Sequence, residues 1–190
     1  MKNLLIILYC VIQSLPATSQ KCHFTIDKKD AFTNEKINSI NRINSGWTWI
    51  SSKKGNKYFI DMNFLVAGQN QKPMTTKDSV MIKLENGTIL NLRPVVDVLA
   101  VDGAVSTTTE GATGTYARTS HAVTNTTSVS SFNPSFEVDR SIYEKLSTSL
   151  ITIIRYSFTG KPMDFDLTRK PLSKIAPDIM SDAKCILSLN

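Results

Sequence analysis

Trp47 and Trp49 stand two apart in Trp47-Thr48-Trp49-Ile50. Period two puts both rings on one face of a strand, where they can stack on a sugar ring or another flat ligand, or fill that face's share of a core. They are the candidate ligand-binding residues. Asp164 and Asp166 are also two apart and would project paired carboxylates from one strand face. Glycoside hydrolysis or a calcium site uses such a pair, and a solvated strand edge produces the same pattern. His121, one of two histidines, could combine with a nearby serine and Asp102 or Asp139 into a nucleophilic triad. Almost any exported chain of this size offers those three residue types.

The stronger catalytic patterns do not occur. There is no GxSxG elbow, HExxH, GxxxxGK[ST] or strand-linked GxGxxG. His23 adjoins Cys22, but no CxxC or HxxxH spacing accompanies it. The sequence therefore names no catalytic residue, no metal ligand and no cofactor, and it leans away from an enzyme. The formal charge of +6 rests on short doublets such as Lys28-Lys29 and Lys53-Lys54, with no basic stripe interleaved with aromatics. Nucleic acid is not an expected partner; weak association with anionic envelope surfaces is.

A leader explains the first residues. Lys2 supplies a basic start, Leu4 to Ile12 is almost wholly apolar, and Ala17-Thr18-Ser19 is a small-residue exit, so residues 1–19 read as a signal peptide and 20–190 as the mature protein. The apolar run is far shorter than the ~20 residues of a membrane-spanning helix. Cys10 follows Leu8-Tyr9 and Cys22 follows Gln20-Lys21, neither of which is a lipobox, so the expectation is a soluble rather than lipid-anchored product in the periplasm or at the cell surface. Loss of Lys2 with the leader takes the formal charge from +6 to +5. Cys22 and Cys185 remain. In an oxidising compartment they can form a disulfide closing a very long loop, which chain entropy values at roughly 3–5 kcal/mol; two buried thiols are the other reading.

The chain that positions these residues has 190 residues, 41% hydrophobic and 20% charged, which fits one globular domain after the leader. Residues 22 to 99 yield strand-length runs: His23–Asp27, Trp47–Ile50, Lys57–Val66, Ser79–Leu84 and Thr88–Leu92. Ser51–Asn56 reads as a hairpin loop, and Asn86-Gly87 between two alternating runs is a tight hairpin turn. From Val105 to Ser131, 14 of 27 residues are Ser or Thr, which predicts exposed strands with a long flexible lead-in, Gly114–Thr119 pairing with Ala122–Thr124. Ser141-Ile142-Tyr143-Glu144 is a capping box opening a short helix whose Ile142, Leu146 and Leu150 share a face. Leu150–Phe158 follows as a central strand, ending near Arg155, which either emerges into solvent there or forms a buried ion pair. Leu172, Ile175, Ala176, Ile179, Met180, Ala183, Ile186 and Leu187 have helical spacing, with the regular helix over 176–188 and Pro177 in its first turn. The fold class is mainly β, a β-sandwich or strongly bent antiparallel sheet, with one short internal helix and a C-terminal amphipathic helix.

Asp30-Ala31-Phe32-Thr33-Asn34-Glu35-Lys36, Ile82-Lys83-Leu84-Glu85-Asn86-Gly87-Thr88, and the helix running into Ile151-Thr152-Ile153-Ile154-Arg155 resemble a group of uncharacterised exported, signal-peptide-bearing β-rich proteins of Bacteroidota-type bacteria. The resemblance covers most of the mature chain and implies location and a β-rich fold, with no known activity and no functional residue to carry over. Within such a source, Asp78-Ser79-Val80 is similar to the Asp-Ser/Thr-aliphatic sites of O-glycosylation, making Ser79 a candidate modification site. The functional expectation is an exported envelope protein acting as a non-catalytic binding module for a protein or glycan. The alternatives are a small hydrolase using His121 or Asp164/Asp166, and a self-assembling structural component.

Overall fold

The computed structural model describes residues 22–44, 47–111, 121–157, 162–170 and 172–189. Residues 1–19, read above as a signal peptide, lie outside the described residues.

The clearest alternation in the sequence builds the centre of the molecule. In β4 (Lys57–Ala67), Tyr58, Ile60, Met62, Phe64 and Val66 are buried and the residues between them are not. β3 (Trp47–Lys54) pairs with β4 from Trp47↔Phe64 to Lys54↔Lys57. Only Gly55 and Asn56 remain for the turn, and Gly55 takes a φ of 57°, a left-handed conformation that costs glycine nothing. The six-residue loop expected at 51–56 is thus mostly strand. Ser51 and Ser52 are paired on both sides, and ladder bonds outweigh their local polarity.

β1 (Ile26–Lys29) and β2 (Lys36–Asn44) extend this sheet outward from β3. On the far side, β4 meets β8 (His121–Phe132) along Phe64–Ala67 and β9 (Ser135–Val138) along Tyr58–Asp61. Asn133-Pro134 breaks the run between them, since proline cannot donate to a ladder, yet the Pro134 carbonyl still accepts from the Met62 amide at 3.0 Å. The sheet is strongly curled, and β7 (Val101–Gly111) is its last strand.

A smaller antiparallel sheet runs β11 (Met163–Asp166), β10 (Ile151–Tyr156), β5 (Val80–Leu84), β6 (Ile89–Leu92). The expected Asn-Gly hairpin joins β5 to β6: Gly87 has φ 84°, and the Asn86 side chain accepts from the Thr88 amide at 3.0 Å. β10 is an interior strand, as its β-branched run predicts. The two sheets meet at Tyr156, whose ring centroid is 3.8 Å from Phe64 and whose hydroxyl accepts from Trp47 Nε1 at 3.2 Å.

Two helices close the remaining side. α1 (Arg140–Thr148) starts one residue before the expected capping box, and that box does not form. The chain leaves β9 at Val138 and turns at an extended Asp139, so Ser141 falls inside the first turn and Glu144 pairs with Arg140 at 3.1 Å. α2 (Ile175–Leu187) follows a 3-10 turn at Leu172–Lys174 and buries Ile175, Ala176, Ile179, Ala183, Cys185 and Ile186, matching the predicted stripe to within a residue. It packs on α1, β2 and β3.

Candidate functional site

Each chemically suggestive residue has a definite place. Trp47 and Trp49 are 5% and 0% exposed. Their rings stand 6.1 Å apart, and both indole nitrogens donate inward, Trp47 to the Tyr156 hydroxyl and Trp49 to Ser51 Oγ at 2.9 Å. They are core residues, and no platform is left outside on which a sugar could stack.

The paired carboxylates are already committed. Asp164 forms a two-pronged bridge with Arg155, both N–O distances 2.6 Å, and the guanidinium holds its carboxyl below the ordinary range. Arg155 thus takes neither end of its alternative alone, being exposed yet ion-paired across β10–β11. Asp166 turns away to the Thr168 hydroxyl and amide and to Arg169, and these bonds lower it too. Among the described residues, no group of three or more His, Cys, Asp or Glu is placed to hold a metal ion.

The His121 side chain lies outside the described residues, but its backbone position rules on one partner. His121 pairs with Gly111 and Asp102 pairs with Ser130. Nine residues along β8 separate them, about 30 Å at strand rise, so Asp102 cannot serve His121. Asp102 instead accepts from Ser130 Oγ at 2.5 Å and from the Asn70 amide, and those bonds lower its carboxyl. Ser79 is half-buried at the start of β5. Its neighbour Asp78 closes the preceding turn by accepting from the Thr75 amide (2.7 Å) and hydroxyl (2.8 Å). Cys22 and Cys185 are bonded, with Cα atoms 5.6 Å apart, tying the start of the described chain to α2.

The feature left without an internal role is an arm. β7 and β8 pair over eleven rungs, Val101↔Ser131 to Gly111↔His121, while β4 covers β8 only from Val129 to Phe132. Among the described residues the last backbone tie to the body is the Gly68 amide on the Ser128 carbonyl at 2.9 Å. Beyond it, seven rungs from Val105↔Thr127 outward form a two-stranded ribbon about 24 Å long. Side chains 101–106 and 126–128 are exposed. In place of the expected pairing of 122–124 with 114–119, Val123 pairs with Thr109 and Thr124 with Thr108, because the partner strand begins at Val101. Residues 112–120 lie outside the described residues.

Among the described residues five strands have an open edge, and they differ. β1 has four residues including Asp27, Lys28 and Lys29; β11 has four including Asp164 and Asp166; β9 has four including Glu137; β6 has four. Short length and charge are what blunts an edge against further pairing. β7 has eleven residues, with Asp102 and Glu110 its charges and no Lys, Arg or Pro, so its length sets it apart. Exposed Val101 and Val105 share one of its faces, and exposed Val95, Val96 and Leu99 lie just before it in the chain.

Residue spacing did not reveal one further cluster, in which Arg42 of β2 clamps Asp182 of α2. Arg42 Nε donates to Asp182 Oδ2 at 2.7 Å and Nη2 to Oδ1, with Asp182 1% exposed. Burial pushes the Asp182 carboxyl up more than Arg42 draws it down. The signal was there, a lone carboxylate among Ile179, Ala183 and Ile186 on one helix face. No protein family, curated protein or solved structure matches the chain.

Proposed function

We propose that this is an exported envelope protein that performs no catalysis and binds another protein by adding a strand to the open edge of β7. The observation that carries the reading is the long open edge, eleven residues free of Lys, Arg and Pro, on an arm that extends past the last rung of β4 on β8. Main-chain groups along such an edge supply affinity, and alternate side chains such as Val101 and Val105 supply specificity. Burial of both tryptophans favours a protein over a glycan as the partner. The leader and the Cys22–Cys185 bond support export, since such bonds persist in oxidising compartments. Among the described residues, no helix is long and apolar enough to cross a membrane.

The test is affinity capture from crosslinked source cells with two forms of residues 20–190. One is intact, and in the other residues 105–127 are replaced by Asn-Gly, so that the Ala104↔Ser128 rung closes the hairpin. The trimmed form keeps every β4–β8 rung and the Gly68 tie and is expected to remain folded. A partner captured by the intact form and lost from the trimmed, folded form is the expected result. Equal capture by both would overturn the reading.

A further inference from the structure

We infer that the strand added to β7 is β7 of a second copy of this chain, paired antiparallel about a two-fold axis at Val105; this rests on the strand-addition reading above. A ribbon of two strands is at best marginally stable in water, and further strands stabilise it when they complete an apolar face. Two arms meeting edge to edge make a continuous four-stranded sheet from elements that one copy already presents.

Symmetry restricts the register. Antiparallel neighbours share a face only if opposed residue numbers have an even sum, so the axis passes through a residue. An axis at Ser106 gives eleven rungs but sets Asp102 against the partner's Glu110, two acids face to face, which is destabilising. An axis at Thr107 opposes two glycines, Gly103 and Gly111. An axis at Ala104 leaves seven rungs. The axis at Val105 keeps nine rungs, opposes Asp102 with Thr108, Val101 with Thr109 and Gly103 with Thr107, and brings the two Val105 side chains together. Val101 and Val105 of both copies then lie on one face of the joined sheet, with the two Val105 residues opposed at its centre, and continuing the register sets residue 111 of the second copy opposite Leu99. Val105 is 41% exposed and Leu99 is 71% exposed in the single chain, so each has surface to cover. In this register Asp102 faces a threonine, while its carboxylate keeps its bonds from Ser130 and the Asn70 amide. A nine-residue strand pair falls below the size of a stable interface, so the association is reversible and concentration-dependent.

Sedimentation equilibrium on residues 20–190, from low micromolar to millimolar, tests it with Val105→Lys and Val105→Glu. Both substitutions sit at an exposed position and leave the fold intact, as far-ultraviolet circular dichroism would verify. The unsubstituted chain dimerises. Each variant alone puts like charges on the axis and weakens the dimer at least about tenfold, while an equimolar mixture of the two dimerises again. A chain that stays monomeric throughout, or variants that dimerise as before, would overturn self-pairing. In that case, loss of a foreign partner from the arm-trimmed form would leave the strand-addition reading standing. A dimer that persists in the arm-trimmed form would likewise overturn self-pairing through β7, and equal capture of a foreign partner by both forms would remove the strand-addition reading as well.

Discussion

Tyr143 of α1 is 0% exposed, and its hydroxyl does backbone work. It donates to the Phe59 carbonyl at 2.6 Å and accepts from the Ser52 amide at 3.2 Å. Ser52 and Phe59 are paired residues of β3 and β4, so the phenol bridges two main-chain groups that face each other across the ladder. Burial pushes its ionisation well above the ordinary tyrosine range, keeping it a neutral donor throughout the working pH range. Tyr143→Phe retains the ring, which packs 5.5 Å from Tyr58, and removes only the bridge. One buried donor and one buried acceptor then lose their partner, at about 1–3 kcal/mol each. The two strands can recover part of this by closing on each other. The expected loss is therefore about 2–4 kcal/mol, or a fall in melting temperature of roughly 4–16 °C for a chain of this size. Urea unfolding followed by circular dichroism and by tryptophan fluorescence, with coincident curves and an unchanged slope, measures it. A loss below about 0.5 kcal/mol would refute the bridge.

Three other outcomes follow from named contacts. Cys22→Ser with Cys185→Ser, compared in urea with the oxidised chain, loses about 5 kcal/mol on the chain-entropy argument for a 163-residue separation; a difference under about 1 kcal/mol contradicts it. Arg42→Met strands the buried Asp182 carboxylate and costs about 3 kcal/mol at pH 7. Burial alone then raises that carboxyl further, so the cost is small in acid, where Asp182 is protonated, and grows as pH rises through its titration; a cost independent of pH would contradict this. Asp164, Asp102 and Asp166 are instead lowered on folding, so their contributions are present above pH ~4 and disappear as pH falls through their folded values. Asp164→Asn should flatten that acid limb in a pH series of urea midpoints, and an unaltered limb would count against the Arg155 bridge.

The elements readable from sequence were those whose signal is local. Period-two burial in Lys57–Ala67, the Asn86-Gly87 turn, the β-branched run of β10 and the 3.6-residue stripe from Ile175 to Leu187 each need only neighbouring residues to be recognised. Misreadings arose where partners distant in sequence decide. Ser51 and Ser52 look like a loop until β2 and β4 pair with them, and the helix start depends on where β9 releases the chain. Trp47 and Trp49 show the same limit for the site, because spacing places both rings on one face and only the second sheet determines that the face is covered. The Ser/Thr-rich region announced exposed strands but not their register. Threonine-rich strands carry little apolar pattern to fix pairing, and β7 proved to begin at Val101.

Hydrogen exchange at the β7 amides is the most direct measure of the central claim that this edge exists to be paired. In dilute protein, the outward amides of residues 101–109 should exchange rapidly while those facing β8 are slower. Raising the concentration, or adding the partner captured through the arm, should slow the outward set selectively. Exchange of those amides that stays the same at every concentration and with every partner would contradict the account.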